Sequence, residues 1–117
     1  MVDLTLERKR YVEALERDLE SLVEQLRNIP EVRKVILFGS YAQGRRDLFT
    51  ELDLMVIMES EKDFVTRGAE LASRLRASVA LDLLVYTPEE IEGIRQRPFI
   101  RHALQMGEVL YEGESQD

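Results

Sequence analysis

Two carboxylates one residue apart, followed by a third on a later apolar segment, are the side chains of this sequence best suited to chemistry. Glu51 and Asp53 alternate with leucines in a segment that predicts a β-strand, so both project from the same face. Asp82 interrupts the apolar segment 81–85, where an isolated buried carboxylate would be costly. Three such groups repel one another and raise their own pKa values unless a divalent cation neutralises them. Oxygen-only ligands favour Mg²⁺ or Mn²⁺, with substrate phosphates completing the coordination shell.

An alternative is that these carboxylates are ordinary surface groups. Glu51 would then end a strand at the surface, and Asp53 and Asp82 would form salt bridges with arginines. The pair Gly39-Ser40 favours the metal interpretation, because glycine at the end of an apolar run lets the backbone approach a ligand closely. Ser40 can open the following turn with its hydroxyl and the neighbouring N–H groups facing an anion.

Alternating apolar patterns predict the elements that hold these residues. Leucines at spacings of three and four predict a helix from about 4 to 28, with Asp3 as its N-cap and Pro30 ending it. Further segments predict strands at 35–38, 52–58, 79–86 and 109–111, and helices at about 62–77, from Pro88, and at 98–106 with Gly107 as C-cap. The sequence therefore predicts an α/β (α+β) two-layer domain, with a single domain over 1–117 and its core at about 33–112.

Composition excludes several classes of protein. The 117 residues contain no cysteine and one histidine, His102, so disulfides, cysteine-ligated zinc and a histidine-rich metal site are excluded. His102 is expected to face solvent or pack within its helix. The charge of −7 argues against a direct nucleic-acid surface. No apolar run approaches the roughly 20 residues of a membrane span, and no signal peptide is visible, which predicts a cytoplasmic protein.

These motifs together resemble a known superfamily. The run from Phe38 to Arg45, followed by Glu51-Leu52-Asp53-Leu54, is similar to the Gly-Ser and Asp-x-Asp signature of DNA polymerase β-like nucleotidyltransferases. The closest likeness is to the minimal nucleotidyltransferase (MNT) domains. Segment 81–85 resembles the third-carboxylate strand of that family and segment 107–111 its C-terminal strand. The resemblance implies a palm-like domain with a mixed sheet of about four strands and helices on one face.

The resemblance also implies a role for each site residue. Gly39 and Ser40 would bind the triphosphate of ATP, the implied substrate, while Glu51, Asp53 and Asp82 would hold two metal ions, Mg²⁺ or Mn²⁺. Asp82 would also orient or deprotonate the attacking hydroxyl. Arg45 and Arg46 would assist the departing phosphates, although a solvated pair in the loop is equally compatible with the sequence. The first ligand departs from the family, which usually has Asp where this chain has Glu51; relatives resembling cyclic GMP–AMP synthase share this Glu-x-Asp pattern.

Two classes of function follow from the resemblance. In the first, the protein transfers a nucleoside monophosphate, AMP from ATP, to an acceptor. MNT proteins commonly pair with HEPN-domain proteins, so the acceptor would be a HEPN toxin and this chain its antitoxin. In the second, the chain is a binding module that neutralises a HEPN partner by complex formation alone. Transfer to a small molecule such as an aminoglycoside is less well supported, since no acceptor-binding domain accompanies the core. The base preference, and whether the chain forms homo- or hetero-oligomers, stay open.

Overall fold

Five helices and four strands form residues 3–113, the part of the chain that the computed structural model describes. The elements in chain order are α1 (Leu4–Arg27), β1 (Val32–Phe38), α2 (Gly39–Ala42), β2 (Leu52–Met58), α3 (Phe64–Arg74), β3 (Leu81–Tyr86), α4 (Pro88–Ile94), α5 (Pro98–Met106) and β4 (Glu108–Glu112). No helix within these residues is long and apolar enough to cross a bilayer.

The four strands form one mixed sheet in the order β3-β2-β1-β4. Strand β1 runs antiparallel to both β2 and β4, whereas β2 and β3 are parallel. The α3 segment supplies the crossover connection that two parallel neighbours require. The predicted α/β class and four-stranded mixed sheet are confirmed.

Helices cover both faces of the sheet, so the expectation of helices on one face of a two-layer domain is wrong. One core cluster joins α1 and α3 to Leu54, Val56 and their neighbours. A second cluster, on the opposite face, joins α4 and α5 to Ile36, Met55 and Ile57. The physical reason lies in β2, where Met55 and Ile57 are apolar and buried although they alternate with the leucine face. A strand that is apolar on both sides needs cover on both sides.

Capping residues determine where the helices begin, and pairing with neighbouring strands determines where the strands begin. Asp3 caps α1 as expected, accepting hydrogen bonds from two N–H groups of the first turn. Thr87 and Glu90 form a capping box at the start of α4. Strand β1 begins at Val32, three residues before the prediction, because Val32 pairs with Met58 at the far end of β2.

Two other elements are shorter than predicted. Helix α3 begins after Asp63, whose carboxylate caps it, and ends before Leu75, which is extended. Strand β3 begins at Leu81 because its partner β2 begins at Leu52.

Candidate active site

Three strands place one side chain each in a single row across the sheet. The parallel register sets Asp53 on β2 directly beside Asp82 on β3. The antiparallel register sets Phe38, the last residue of β1, on the other side of Asp53. Residues directly opposite one another in neighbouring strands share a face, so the row is Asp82, Asp53, Phe38. Glu51 lies two residues before Asp53 and therefore joins the same face.

The three predicted carboxylates come together at this end of the sheet. Glu51, Asp53 and Asp82 each offer a carboxylate oxygen, and these oxygens all lie within 4.8 Å of one another. Glu51 and Asp82 are exposed, whereas Asp53 is partly buried between them. No salt bridge joins any of the three to a lysine or arginine among residues 3–113, so the alternative of ordinary salt bridges is not what this part of the chain shows. Clustered oxygen donors without a basic neighbour suit a hard divalent cation.

Asp53 carries the electrostatic strain of the cluster. Burial, followed by the charges of Asp82 and then Glu51, raises the pKa of Asp53 from its usual 3.8 to about 6. A hydrogen bond from the backbone N–H of Ser40 to the Asp53 carboxylate opposes this rise. The rise in pKa means that the folded protein resists a full negative charge here, which is the condition that a bound cation relieves.

Gly39 is required by its contact with Asp53. Its φ of 76° lies in the left-handed region, and a Cβ added there would stand 2.0 Å from Asp53 Oδ2. Both the conformation and the space therefore exclude a side chain. The strand-to-helix corner thus packs its backbone against the central carboxylate, and the next residue, Ser40, donates its N–H to that same carboxylate.

Hydrogen bonds fix the backbone on both sides of Glu51. The Tyr11 hydroxyl on α1 donates to the Thr50 carbonyl oxygen at 2.7 Å. Thr50 is fully buried, and its hydroxyl accepts from the Asp47 N–H at 2.9 Å. Leu52 N donates to the Ala80 carbonyl oxygen at 2.9 Å. Glu51 therefore extends from a backbone fixed on both sides, although its own side chain is exposed.

The two arginines of this loop differ in their surroundings. Arg45 Nε lies 2.8 Å from Asp47 Oδ2, and this pairing raises the pKa of Arg45 and lowers that of Asp47. Arg46 lies over the Tyr41 ring, 3.5 Å from its centroid. Phosphate binding by Arg45 stays a prediction, and it would require the guanidinium to share or leave Asp47.

Two features beside the carboxylates were not anticipated from the sequence. Phe99 of α5 packs edge-on against Phe38, with the ring centroids 5.7 Å apart. A cavity of about 350 Å³ lies between α2 and α5 and is lined by Gly39, Gln43 and His102, among others. The sequence signal for Phe38 is its place directly before Gly39. His102 offers no such signal, because only the packing of α5 brings it to this cavity.

Comparison with known proteins identifies the family of this chain. The sequence profile of the family described as polymerase beta, nucleotidyltransferase, matches residues 20–116. A putative protein adenylyltransferase of Methanocaldococcus jannaschii is 29% identical over 82 residues, which cover 68% of this chain and 79% of that protein.

The fold is shared with a solved structure. A putative nucleotidyltransferase from Sulfolobus solfataricus superposes with a TM-score of 0.55 at 15% identity, covering 96% of this chain and 90% of its own. A toxin–antitoxin structure with AMP-PNP has a TM-score of 0.49 at 24% identity, covering 85% of this chain and 74% of its own. Because the family profile spans most of the sequence, the chain belongs to the polymerase beta nucleotidyltransferase family and is a nucleotidyltransferase.

Proposed function

We propose that this protein transfers AMP from ATP to a hydroxyl group on a partner protein. The observation that carries the proposal is the cluster of Glu51, Asp53 and Asp82, whose oxygens lie within 4.8 Å of one another beside the Gly39-Ser40 corner. A nucleotidyltransferase needs such a cluster next to a backbone that approaches the phosphates closely. The name of the Methanocaldococcus jannaschii relative, a protein adenylyltransferase, supports AMP as the transferred group and a protein as the acceptor.

The donor set fits magnesium or manganese. Glu51, Asp53 and Asp82 are hard oxygen ligands. Burial, and then the charges of the other two carboxylates, raise the pKa of Asp53, and a cation would neutralise those charges. When bound, divalent ions supply positive charge that screens the carboxylates from the triphosphate and stabilises charge on the reacting phosphoryl group. Asp53 would hold the ions together with Glu51 and Asp82.

Other residues of the chain bind the triphosphate, accept the proton and assist the leaving group. Gly39 and Ser40 bind the triphosphate, and Asp82, exposed at the outer end of the row, accepts the proton of the attacking hydroxyl. The acceptor oxygen then forms a bond to the α-phosphorus. The bond from that phosphorus to the bridging oxygen breaks, and pyrophosphate leaves with the electron pair. Arg45 assists the leaving phosphates if it is released from Asp47.

An open site implies that the acceptor comes from outside. Glu51 and Asp82 are exposed, and the structure of residues 3–113 is one sheet with its helices, without a second lobe facing the row. We propose a HEPN-domain protein as this acceptor, modified on a tyrosine hydroxyl, with the present chain as its antitoxin in a hetero-oligomer. The resemblance to MNT proteins supports the HEPN partner, and the name of the relative supports a protein as the acceptor.

The decisive experiment uses Asp53→Asn, which keeps the size of the side chain and removes its charge. Labelled ATP is supplied to the protein with a co-expressed HEPN partner, and both labelling of the partner and rescue of the cells are scored. Glu59→Gln is the matched control, because Glu59 is exposed just beyond the far end of β2, about 20 Å along the strand.

Two outcomes separate catalysis from binding. We expect Asp53→Asn to lose labelling and rescue while still binding the partner, and Glu59→Gln to keep all three. If Asp53→Asn rescues cells without labelling the partner, the chain acts as a binding module that neutralises its partner by complex formation, and the proposed catalytic function is wrong.

A further inference from the structure

The cavity between α2 and α5 opens beside the candidate site. Gly39 is common to both, since it lines the cavity and its backbone packs against Asp53. Two polar side chains line the cavity, Gln43 at the end of α2 and His102 on α5. Most of the remaining lining is apolar or small, including Ala42 and Met106, so these two side chains are the main polar groups available to a ligand there.

The chemistry of a triphosphate makes this cavity relevant. Consider a nucleotide whose α-phosphorus lies at the carboxylate row. If its triphosphate extends past Gly39, the terminal phosphates enter the cavity. The two guanidinium groups of the loop after α2 are engaged elsewhere, Arg45 with Asp47 and Arg46 over Tyr41. Unless Arg45 leaves Asp47, the terminal phosphates therefore need donors from the cavity itself. An imidazole has an N–H donor in either protonation state, and a carboxamide has two.

We propose that His102 and Gln43 bind the terminal phosphates of the nucleotide and then the pyrophosphate that leaves. The inference rests on the proposed nucleotidyl transfer and adds a leaving-group subsite to it. As the bond between the α-phosphorus and the bridging oxygen breaks, negative charge accumulates on pyrophosphate. N–H donors from two different helices then hold that product while the acceptor attacks from the side of Asp82.

Nucleotides of different length test this subsite directly. Calorimetry with magnesium compares ATP, AMP and inorganic pyrophosphate on the wild-type protein, His102→Ala, His102→Gln and Gln43→Ala. Arg101→Ala is the matched control, because it removes a charge from the same helix at a neighbouring exposed position that does not line the cavity. His102 is exposed, and alanine favours a helix, so His102→Ala should fold.

The expected result is selective for the phosphate tail. His102→Ala should weaken ATP and pyrophosphate about tenfold, as expected for a lost hydrogen bond to a charged group, and leave AMP unchanged. His102→Gln, which keeps an N–H donor, should recover most of the affinity, and Arg101→Ala should bind like the wild type. Gln43→Ala should show the same selectivity as His102→Ala.

Each contrary result is informative. If His102→Ala weakens ATP and AMP equally, the cavity binds the nucleoside and the inference is overturned. Unchanged ATP binding in His102→Ala, together with loss of ATP binding in Asp53→Asn, would remove the subsite but keep the proposed function. A wild-type protein that binds neither ATP nor pyrophosphate with magnesium would overturn both.

Discussion

Replacing Asp53 by asparagine should stabilise the metal-free protein at neutral pH. The pKa of this carboxyl rises from 3.8 to about 6 on folding, chiefly through burial and then through Asp82 and Glu51. At about 1.4 kcal/mol per pH unit, this rise corresponds to at most about 3 kcal/mol of unfavourable free energy when Asp53 is charged. Because solvent at the open edge screens the interaction, we expect Asp53→Asn to gain about 1–2 kcal/mol at pH 7. The amide can still accept the Ser40 N–H hydrogen bond.

The sign of the pH dependence follows from the raised pKa. Below pH 3.8 the carboxyl is protonated in both the folded and the unfolded states, so asparagine brings no advantage there. Between about pH 4 and 6 the unfolded state loses its proton first, and the wild type loses stability relative to Asp53→Asn. The advantage of the variant should therefore grow from near zero at pH 4 to its full value above pH 6.

Urea unfolding of both proteins from pH 4 to 7.5, in buffer with a chelator, measures this advantage. Glu59→Gln serves as the control, since it removes a carboxylate of the same strand region without touching the cluster. Added magnesium should then stabilise the wild type and leave Asp53→Asn almost unchanged, because ligand binding to the folded state raises stability. An advantage that does not vary with pH, or an Asp53→Asn protein less stable than wild type at pH 7, would refute the reasoning.

Three further substitutions test the geometry around the cluster. Gly39→Ala should cost about 1–3 kcal/mol and abolish transfer by displacing the central carboxylate, whereas Gly44→Ala, also at positive φ but facing open space, should cost stability alone. In labelling assays, the activity of Glu51→Asp should lie within about tenfold of the wild type, since aspartate and glutamate are both hard oxygen donors. The activity of Glu51→Gln should be far lower, because the amide carries no charge. Arg67→Ala should cost about 2–3 kcal/mol in urea unfolding, because the buried guanidinium bonds the Val85 carbonyl oxygen at 3.0 Å and the Glu90 carboxylate at 2.5 Å.

The contrary outcomes are distinct for each substitution. Equal activity of Gly39→Ala and Gly44→Ala would mean that contact with Asp53 does not set the site. Equal losses in the two Glu51 variants would mean that Glu51 holds no metal. If the stability lost in Arg67→Ala did not shrink below about pH 4, the Glu90 partner would be unimportant, because its lowered pKa implies a contribution that disappears as pH falls.

The sequence alone predicted most of the elements and the residues best suited to chemistry. Period-two and helical spacings located the strands and most helices, since burial of one face imposes these periods locally. Asp3 and Pro88 marked helix starts through capping and backbone geometry that depend only on neighbours. Glu51, Asp53 and Asp82 were identifiable because carboxylates that interrupt apolar strands carry a desolvation cost, and the resemblance then suggested what they hold.

Only the tertiary structure decided how these parts meet. The parallel register that sets Asp82 beside Asp53 depends on pairing between strands separated by α3, and no local pattern encodes that register. The presence of helices on both faces follows from the burial of Met55 and Ile57. The sequence of a short apolar strand does not by itself show whether one or both of its faces are buried. The approach of His102 to Gly39 depends on where α5 packs. Local periodicity thus determined which residues could act, whereas long-range packing determined their distances and neighbours.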